Sequence, residues 1–148
     1  MYKRILVPTD GSALSLKAAK AAAELARAIK ARITAIYVIE PYMPPMGAEG
    51  MAFYAAYSPD EYELGMRKAA AKALARVEAV ARAARVKYDA VTVIHHNPWQ
   101  AIIKAASAKK CDLIVMASHG RRGLAGLLLG SETQKVLTHS RTPVLVCR

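Results

Sequence analysis

The stretch DLIVMASHG, residues 112–120, decides the fold. Its first part is an almost purely apolar run, bounded by Asp112 at one end and Ser118 at the other. Continuous apolar runs of this length are typical of strands in a parallel sheet, because helices cover both faces of such a sheet. Ligands of doubly wound sheets bind beyond the carboxyl ends of the strands. The polar residues and the glycine that end this run are therefore candidates for a binding loop.

Short β-rich runs and helical patterns alternate over the whole chain. We predict strands at residues 4–7, 33–39, 88–95, 112–117 and 144–147. We predict helices after a cap at Ser12 or Ser15 and over residues 61–85, 98–108 and 131–140, the third of them capped by Asn97 ahead of Pro98. This alternation requires right-handed crossovers, so the predicted fold class is α/β, a doubly wound five-stranded parallel sheet with helices on both faces.

The composition is that of a globular protein, since 54% of its 148 residues are hydrophobic. A chain of about 150 residues can bury roughly two-thirds of its surface, and we expect one domain over residues 1–148. Cys111 and Cys147 are too few for a disulfide framework, so we interpret both as small buried hydrophobes. No apolar stretch reaches the roughly 20 residues that span a bilayer, and no signal peptide is visible; we therefore expect a cytoplasmic protein without membrane contact.

Lysine and arginine outnumber aspartate and glutamate by 22 to 11, which gives a net charge of +11. The basic residues are spread over helix faces, where Lys68, Lys72 and Arg76 form an i, i+4 ladder that is also typical of a solvated face. The chain has neither the interleaved aromatic residues of single-strand binding nor a recognisable DNA- or RNA-binding motif. We therefore expect a general attraction to polyanions, nucleotide phosphates included, but no nucleic acid as the main ligand.

Residues 40–60 form the least regular segment and are rich in proline, methionine and tyrosine. A loop of this length inside a compact domain is usually functional. Two interpretations stay open: a lid or partner surface, and a tolerated insertion that packs its aromatic residues locally.

Two segments have the chemistry of a ligand site at strand ends. The first is residues 8–12, Pro-Thr-Asp-Gly-Ser, and the second joins Gly120 to Gly130 and Ser131. Glycines let backbone amides approach phosphate oxygens, and the unpaired amides at a helix start favour an anion. Ser131 and Gln134 are also the pattern of a simple capping box, and the glycines are also what a loop requires. The spacing is not that of a Walker A loop.

Four pieces of the chain together resemble the universal stress protein family. They are residues 3–12, residues 113–120, residues 129–131 and residues 142–146. The resemblance covers the whole chain and implies a Rossmann-like sheet in strand order 3-2-1-4-5. In that order strands one and four are neighbours, which places both candidate segments at the point where the strand order reverses.

Many members of the family bind ATP through the pattern Gly-x2-Gly-x9-Gly-Ser/Thr. This chain has Ala117-x2-Gly120-x9-Gly130-Ser131, so the spacing is kept and the first glycine is an alanine. The resemblance implies that Asp10 and Val38 contact adenosine, that the strand-four residues flank the ribose, and that the helix start holds the distal phosphates. The candidate nucleotide contacts are Pro8, Thr9, Asp10, Val38, Met116, Ala117, His119, Gly120, Gly130, Ser131, Glu132 and Thr133.

Three functions follow from this resemblance: a stress-response homodimer that holds ATP, ADP or AMP, with Mg²⁺ or Mn²⁺ bridging the phosphates; a slow ATPase; and a nucleotide-free stress dimer that acts through protein partners. No catalytic residue or metal site is assigned, and weak ATP hydrolysis is the most that Asp10 and His119 with a metal would support. His95 and His96 are adjacent on a strand and face opposite sides, so they do not share a metal. Trp99 is interpreted as a packing residue.

The last predicted strand, Val144–Cys147, is short, apolar and expected at the edge of the sheet. In the family this strand commonly mediates dimerisation, so the resemblance implies a homodimer through it. The alternative is an edge that Arg141 and Arg148 protect from pairing.

Overall fold

The computed structural model describes residues 1–43, 58–120 and 129–148. Within these ranges the strands are β1 (Arg4–Pro8), β2 (Arg32–Ile39), β3 (Tyr88–Ile94), β4 (Leu113–Ala117) and β5 (Val144–Cys147). The helices are α1 (Ala13–Ile29), α2 (Pro59–Ala83), α3 (Pro98–Ala108) and α4 (Ser131–His139). All predicted elements are confirmed, and their ends differ from the prediction by one or two residues. Residues 44–57, most of the segment for which a lid and an insertion both stay open, lie outside the described residues, as do residues 121–128 between Gly120 and Gly130.

The five strands form one parallel sheet in the order β3-β2-β1-β4-β5, as the family resemblance implied. β1 pairs with β2 from Arg4 opposite Arg32 onward, and with β4 through Ile5 opposite Leu113. The Asp112 carboxylate fixes the start of the β1–β4 pair by accepting the backbone N–H groups of Lys3 and Arg4, at 2.8 and 2.9 Å. The carboxyl ends of β1 and β4 are therefore neighbours, and β5 is an edge strand.

Side chains that alternate along the strands build a core on each face of the sheet. Ile5 and Val7 belong to a cluster with α1 and α2, whereas Leu6 belongs to a cluster with α3 and α4. The helix surface in the first cluster consists largely of alanines. The fully buried alanines of α1 are Ala18, Ala19, Ala22, Ala23 and Ala26. Small side chains of this kind allow the helix to lie close to the sheet.

The helix that follows β1 begins at the first of its two candidate caps. The Ser12 side chain accepts the backbone N–H of Ser15 at 3.1 Å, which identifies Ser12 as the N-cap of α1. Ser15 lies inside the helix and is buried. The cap is therefore part of the turn at the end of β1, where the first candidate segment lies.

The two cysteines differ in how deeply they are buried. Cys111 is buried in the core on the α3 and α4 side, and this burial raises the pKa of its thiol. Cys147 lies on the edge strand and is partly exposed, so the prediction that both thiols are buried is wrong for Cys147. No helix within the described ranges is long and apolar enough to cross a membrane.

Candidate functional site

Side-chain hydrogen bonds fix the turn that follows β1. The Thr9 hydroxyl is buried, lies 3.1 Å from the Ser15 hydroxyl and accepts the backbone N–H of Gly11 at 3.2 Å. Oδ1 of Asp10 accepts the backbone N–H of Ser12 at 3.0 Å. Gly11 has a φ of 82°, a value that L side chains rarely adopt. Hydrogen bonds of the Thr9 and Asp10 side chains to the following backbone amides thus fix the turn that carries the Asp10 carboxylate.

α2, which packs on the same face of the sheet as α1, also supports this turn. Nη1 of Arg76 donates to the Gly11 carbonyl at 2.9 Å, a contact between residues 65 positions apart. A cavity of about 220 Å³ lies beside this contact and is lined by Tyr37, Lys72 and the Asp10–Gly11 turn. The positively charged side chains of Lys72 and Arg76 therefore lie beside the turn on the α2 side.

The two segments predicted from the sequence meet at Gly120. A Cβ atom built on Gly120 would lie 2.6 Å from Oδ2 of Asp10, closer than real Cβ atoms approach an oxygen. Gly120 is not among the positive-φ glycines of the described residues, so what a side chain at position 120 would meet is the Asp10 carboxylate and not backbone strain. The loops after β1 and β4 therefore lie next to each other at this edge of the sheet.

The start of α4 rests on the end of β4. The Gly130 amide donates to the Ser118 carbonyl at 2.7 Å, and the Thr133 hydroxyl donates to the Ala117 carbonyl at 2.9 Å. A Cβ atom on Gly130 would lie 3.1 Å from the Cα of His119, which is tighter than most Cβ contacts. Each glycine thus stands at a close approach, Gly120 to the Asp10 side chain and Gly130 to the backbone and side chain of His119.

The beginning of α4 has no side-chain cap from the residues that the structure describes. Gly130 is the N-cap, in an extended conformation. The alternative in which Ser131 and Gln134 form a capping box is wrong, because Ser131 is already the first helical residue. Uncapped amides in the first turn of a helix are donors for an anion.

Alanine is compatible with position 117. Ala117 is the last residue of β4 and is not among the positive-φ residues of the described chain. Its side chain is buried, and its carbonyl bonds to α4. The change from the family glycine therefore introduces no backbone strain here.

An apolar surface lies at the carboxyl ends of β1, β2 and β4, on the α3 and α4 side of the sheet. Val38 and Met116 belong to the core cluster of that side, and Pro8 follows Leu6 by strand alternation onto the same face. Pro8 and Val38 are half-buried, whereas Met116 is 5% exposed. These residues form an apolar wall at the strand ends, and Pro8 stands two residues before Asp10 in the chain.

Glu132 makes a contact that the sequence did not indicate. Its Oε2 accepts the backbone N–H of Trp99 at 2.9 Å, and its Oε1 lies 3.1 Å from Nζ of Lys135. The Trp99 ring packs on His139, with centroids 4.8 Å apart, and also on the core, which confirms Trp99 as a packing residue. Asn97 was expected to cap α3, but its side chain makes no cap hydrogen bond.

The histidines make local contacts. Nδ1 of His119 lies 3.1 Å from the Ser118 hydroxyl, and Nδ1 of His95 accepts the backbone N–H of Asn97 at 3.0 Å. Across residues 1–43, 58–120 and 129–148 no three metal-ligating side chains come together. The site therefore offers amides, a carboxylate and an apolar wall as its chemistry.

Comparison with known proteins places this geometry in a family. The universal stress protein family model matches residues 1–148. The universal stress protein MJ0531 of Methanocaldococcus jannaschii is 36% identical over 148 residues, which cover all of this chain and 83% of the relative.

Solved structures agree in fold. The hypothetical protein MJ0577, whose structure was used to assign its biochemical function, is 27% identical with a TM-score of 0.77, over 99% of this chain and 95% of that one. A universal stress protein in complex with cAMP is 27% identical with a TM-score of 0.68, over 99% of this chain and 97% of that one. With a family model that spans every residue, the chain belongs to the universal stress protein family.

Proposed function

We propose that the chain binds an adenine nucleotide, in the first place ATP, where the loops after β1 and β4 meet. The observation that carries the proposal is the approach of Gly120 to Asp10, because it brings the two candidate segments next to each other. One carboxylate, a glycine-flanked loop and the start of α4 then lie at the point where the strand order reverses.

The apolar wall is the proposed place of the adenosine. Pro8 and Val38 would contact the adenine ring, and the Asp10 carboxylate would accept a hydrogen bond from the nucleoside. Thr9 would act indirectly, because its buried hydroxyl holds the turn that presents Asp10. Burial of an apolar ring beside one well-placed polar group is the usual composition of a ligand pocket.

The loop between β4 and α4 is the proposed place of the phosphates. Met116, Ala117 and Gly120 would flank the ribose and the first phosphate, while Gly130 and Ser131 would hold the distal phosphates at the start of α4. Thr133 would hold the start of α4 against the end of β4, since its hydroxyl donates to the Ala117 carbonyl. Nε2 of His119 would donate to a phosphate, and Mg²⁺ or Mn²⁺, when bound with the nucleotide, would supply positive charge to the phosphates.

A structural neighbour supports the ligand class. The universal stress protein solved in complex with cAMP is 27% identical and aligns with 99% of this chain. cAMP contains the adenosine and one phosphate, which are the parts of ATP that we assign to the apolar wall and to the end of β4.

We further propose that the chain forms a homodimer through β5. The edge strand has unpaired backbone groups on one side, and its Leu145 is 44% exposed. An open groove of about 460 Å³ runs beside it, with apolar walls from Leu25, Ile29 and Val144 among others. An exposed apolar surface that continues an unpaired strand edge is suited to a second copy of the chain.

The experiment is to denature the purified protein and analyse the released nucleotides, followed by calorimetry with ATP and Mg²⁺. We expect an adenine nucleotide in the supernatant or a measurable heat of binding, and loss of both in Asp10→Ala. The absence of nucleotide and of heat would contradict the proposal and favour a nucleotide-free dimer. Phosphate release followed over hours then separates a carrier, which releases none, from a slow ATPase.

A further inference from the structure

We infer that Glu132 is a positioning residue: its carboxylate caps α3 and thereby holds the start of α4 in place for the phosphates, without touching them. The inference rests on the proposed nucleotide site and deepens it. Glu132 is the second residue of α4, directly after the Ser131 that we assign to the phosphates.

The start of α3 requires a cap that its own sequence does not supply. Asn97 occupies the N-cap position without a side-chain hydrogen bond, and Pro98 has no backbone N–H. Trp99 therefore carries the first free amide of the helix, and Glu132, 33 residues later in the chain, accepts it at 2.9 Å. A carboxylate at this place also interacts favourably with the positive end of the helix dipole.

The same contact resolves an electrostatic conflict in the site. A carboxylate in the first turn of a phosphate-binding helix would repel the ligand if it turned toward it. Here one oxygen is bonded to the Trp99 amide and the other lies 3.1 Å from the Lys135 ammonium. The negative charge is thus engaged with α3 and with a cation of its own helix.

α4 is then held from two directions. Gly130 and Thr133 bond to the end of β4, while Glu132 bonds to the start of α3. At the far end of α4, His139 packs on the Trp99 ring. A helix start that is fixed before the ligand arrives binds phosphate at a smaller entropic cost.

The test compares Glu132→Ala with Glu132→Gln, which keeps the acceptor oxygen, and with Glu63→Ala. Glu63 pairs with Arg67 on the exposed surface of α2, so that control changes the net charge equally. Calorimetry with ATP and with adenosine separates the phosphate site from the adenosine site. Emission of Trp99, the sole tryptophan, and hydrogen exchange of its backbone amide report the cap without any ligand.

We expect Glu132→Ala to bind ATP about fivefold more weakly than the wild type, a loss similar to that of a helix cap. Adenosine affinity should stay unchanged, Glu132→Gln should bind ATP within about twofold of the wild type, and exchange of the Trp99 amide should accelerate only in the alanine variant. The inference is overturned if Glu132→Ala binds ATP as tightly as the wild type or more tightly, or if the glutamine variant is equally weak. If the wild type binds neither ligand, the proposed function fails and the inference falls with it.

Discussion

At the scale of single residues, the distance between Gly120 and the Asp10 carboxylate limits which side chain position 120 can carry. Any side chain at this position would meet Oδ2 of Asp10, since even a Cβ atom would lie 2.6 Å away. Oδ1 of the same carboxylate accepts the Ser12 amide, so a shift of the Asp10 carboxylate would strain that hydrogen bond. The carboxylate is therefore held between the two loops.

We expect Gly120→Ala to weaken nucleotide binding by about tenfold or more, which is the value of one charge-assisted hydrogen bond. The reason is that the added methyl group displaces the Asp10 carboxylate. Calorimetry with ATP measures the effect.

Gly65→Ala is the matched control, because nothing lies within 4 Å of a Cβ atom there and the position is helical. It should bind normally and be more stable by roughly 0.5–1 kcal/mol, the usual gain of alanine over glycine in a helix. Wild-type affinity in Gly120→Ala would contradict the placement of the site at Asp10.

The sequence pattern singled out several candidate site residues, and the structure adds the contacts that those residues make. The spacing of Gly120 and Gly130 singled out both glycines. Their close approaches could not be read from that spacing, because Gly120 meets Asp10, which is far away in the chain, and Gly130 meets His119 across the loop. Glu132 was predicted beside the nucleotide, and its bond to Trp99 could not be predicted, because local patterns contain no information on contacts over 33 residues. The assignment of nucleotide contacts stays a prediction.

At the scale of elements, one tyrosine fastens β3 to α2. The Tyr88 hydroxyl donates to the Leu74 carbonyl at 3.0 Å. Burial, and then the negative charges of Glu78 and Asp89, raise the pKa of Tyr88 from its ordinary value of 10.0 to about 12. The neutral hydroxyl is therefore the form that stabilises the folded protein.

Because the folded pKa lies above the unfolded one, the contribution of Tyr88 is complete below about pH 10 and is lost as the pH rises towards 12. We expect the wild type to exceed Tyr88→Phe in free energy of unfolding at pH 8, by an amount that shrinks above pH 10. Urea unfolding of both proteins from pH 8 to 11.5 measures this difference. Two curves that run parallel over the whole range would exclude this role of Tyr88.

Element types could be predicted from periodicity, whereas their ends depended on particular contacts. β1 extends to Pro8, one residue beyond the predicted end, and the next residue still donates its N–H to the Ile36 carbonyl of β2. α2 starts at Pro59, earlier than predicted, since Ser58 and Glu61 form a capping box ahead of it. At α3 the predicted cap residue was correct in position but not in chemistry.

At the scale of the whole molecule, β5 and its groove decide the proposed assembly. We expect Leu145→Glu to convert the dimer to a monomer at micromolar concentration, because a buried unpaired carboxylate is costly in an apolar interface. Sedimentation velocity measures the change. Leu64→Glu places the same charge on a leucine of α2 that is 56% exposed, and it should remain dimeric.

A dimer that persists in Leu145→Glu would exclude β5 as the interface. A monomeric wild type would instead favour the protected-edge alternative, in which Arg141 and Arg148 discourage pairing.

The strand order of the sheet came from the family resemblance, because periodicity identifies strands but not their neighbours. Composition indicated a globular chain, and the alternation of elements correctly predicted the α/β class with a parallel sheet covered on both faces. A single domain and a cytoplasmic location stay predictions. Residues 44–57 and 121–128 lie outside the described residues, and with them the choice between lid and insertion.

The alanine surface of α1 restricts how this protein can evolve. At Ala19, Ala22 and Ala26 every substitution other than glycine adds volume to a closed core, at a cost of roughly 1–3 kcal/mol. Neutral substitutions on this helix are therefore expected at its exposed positions, such as Lys17, Lys20 and Glu24. Adaptive change has more freedom in the loops at the carboxyl edge of the sheet, so ligand preference can diverge among relatives while the scaffold beneath it changes little.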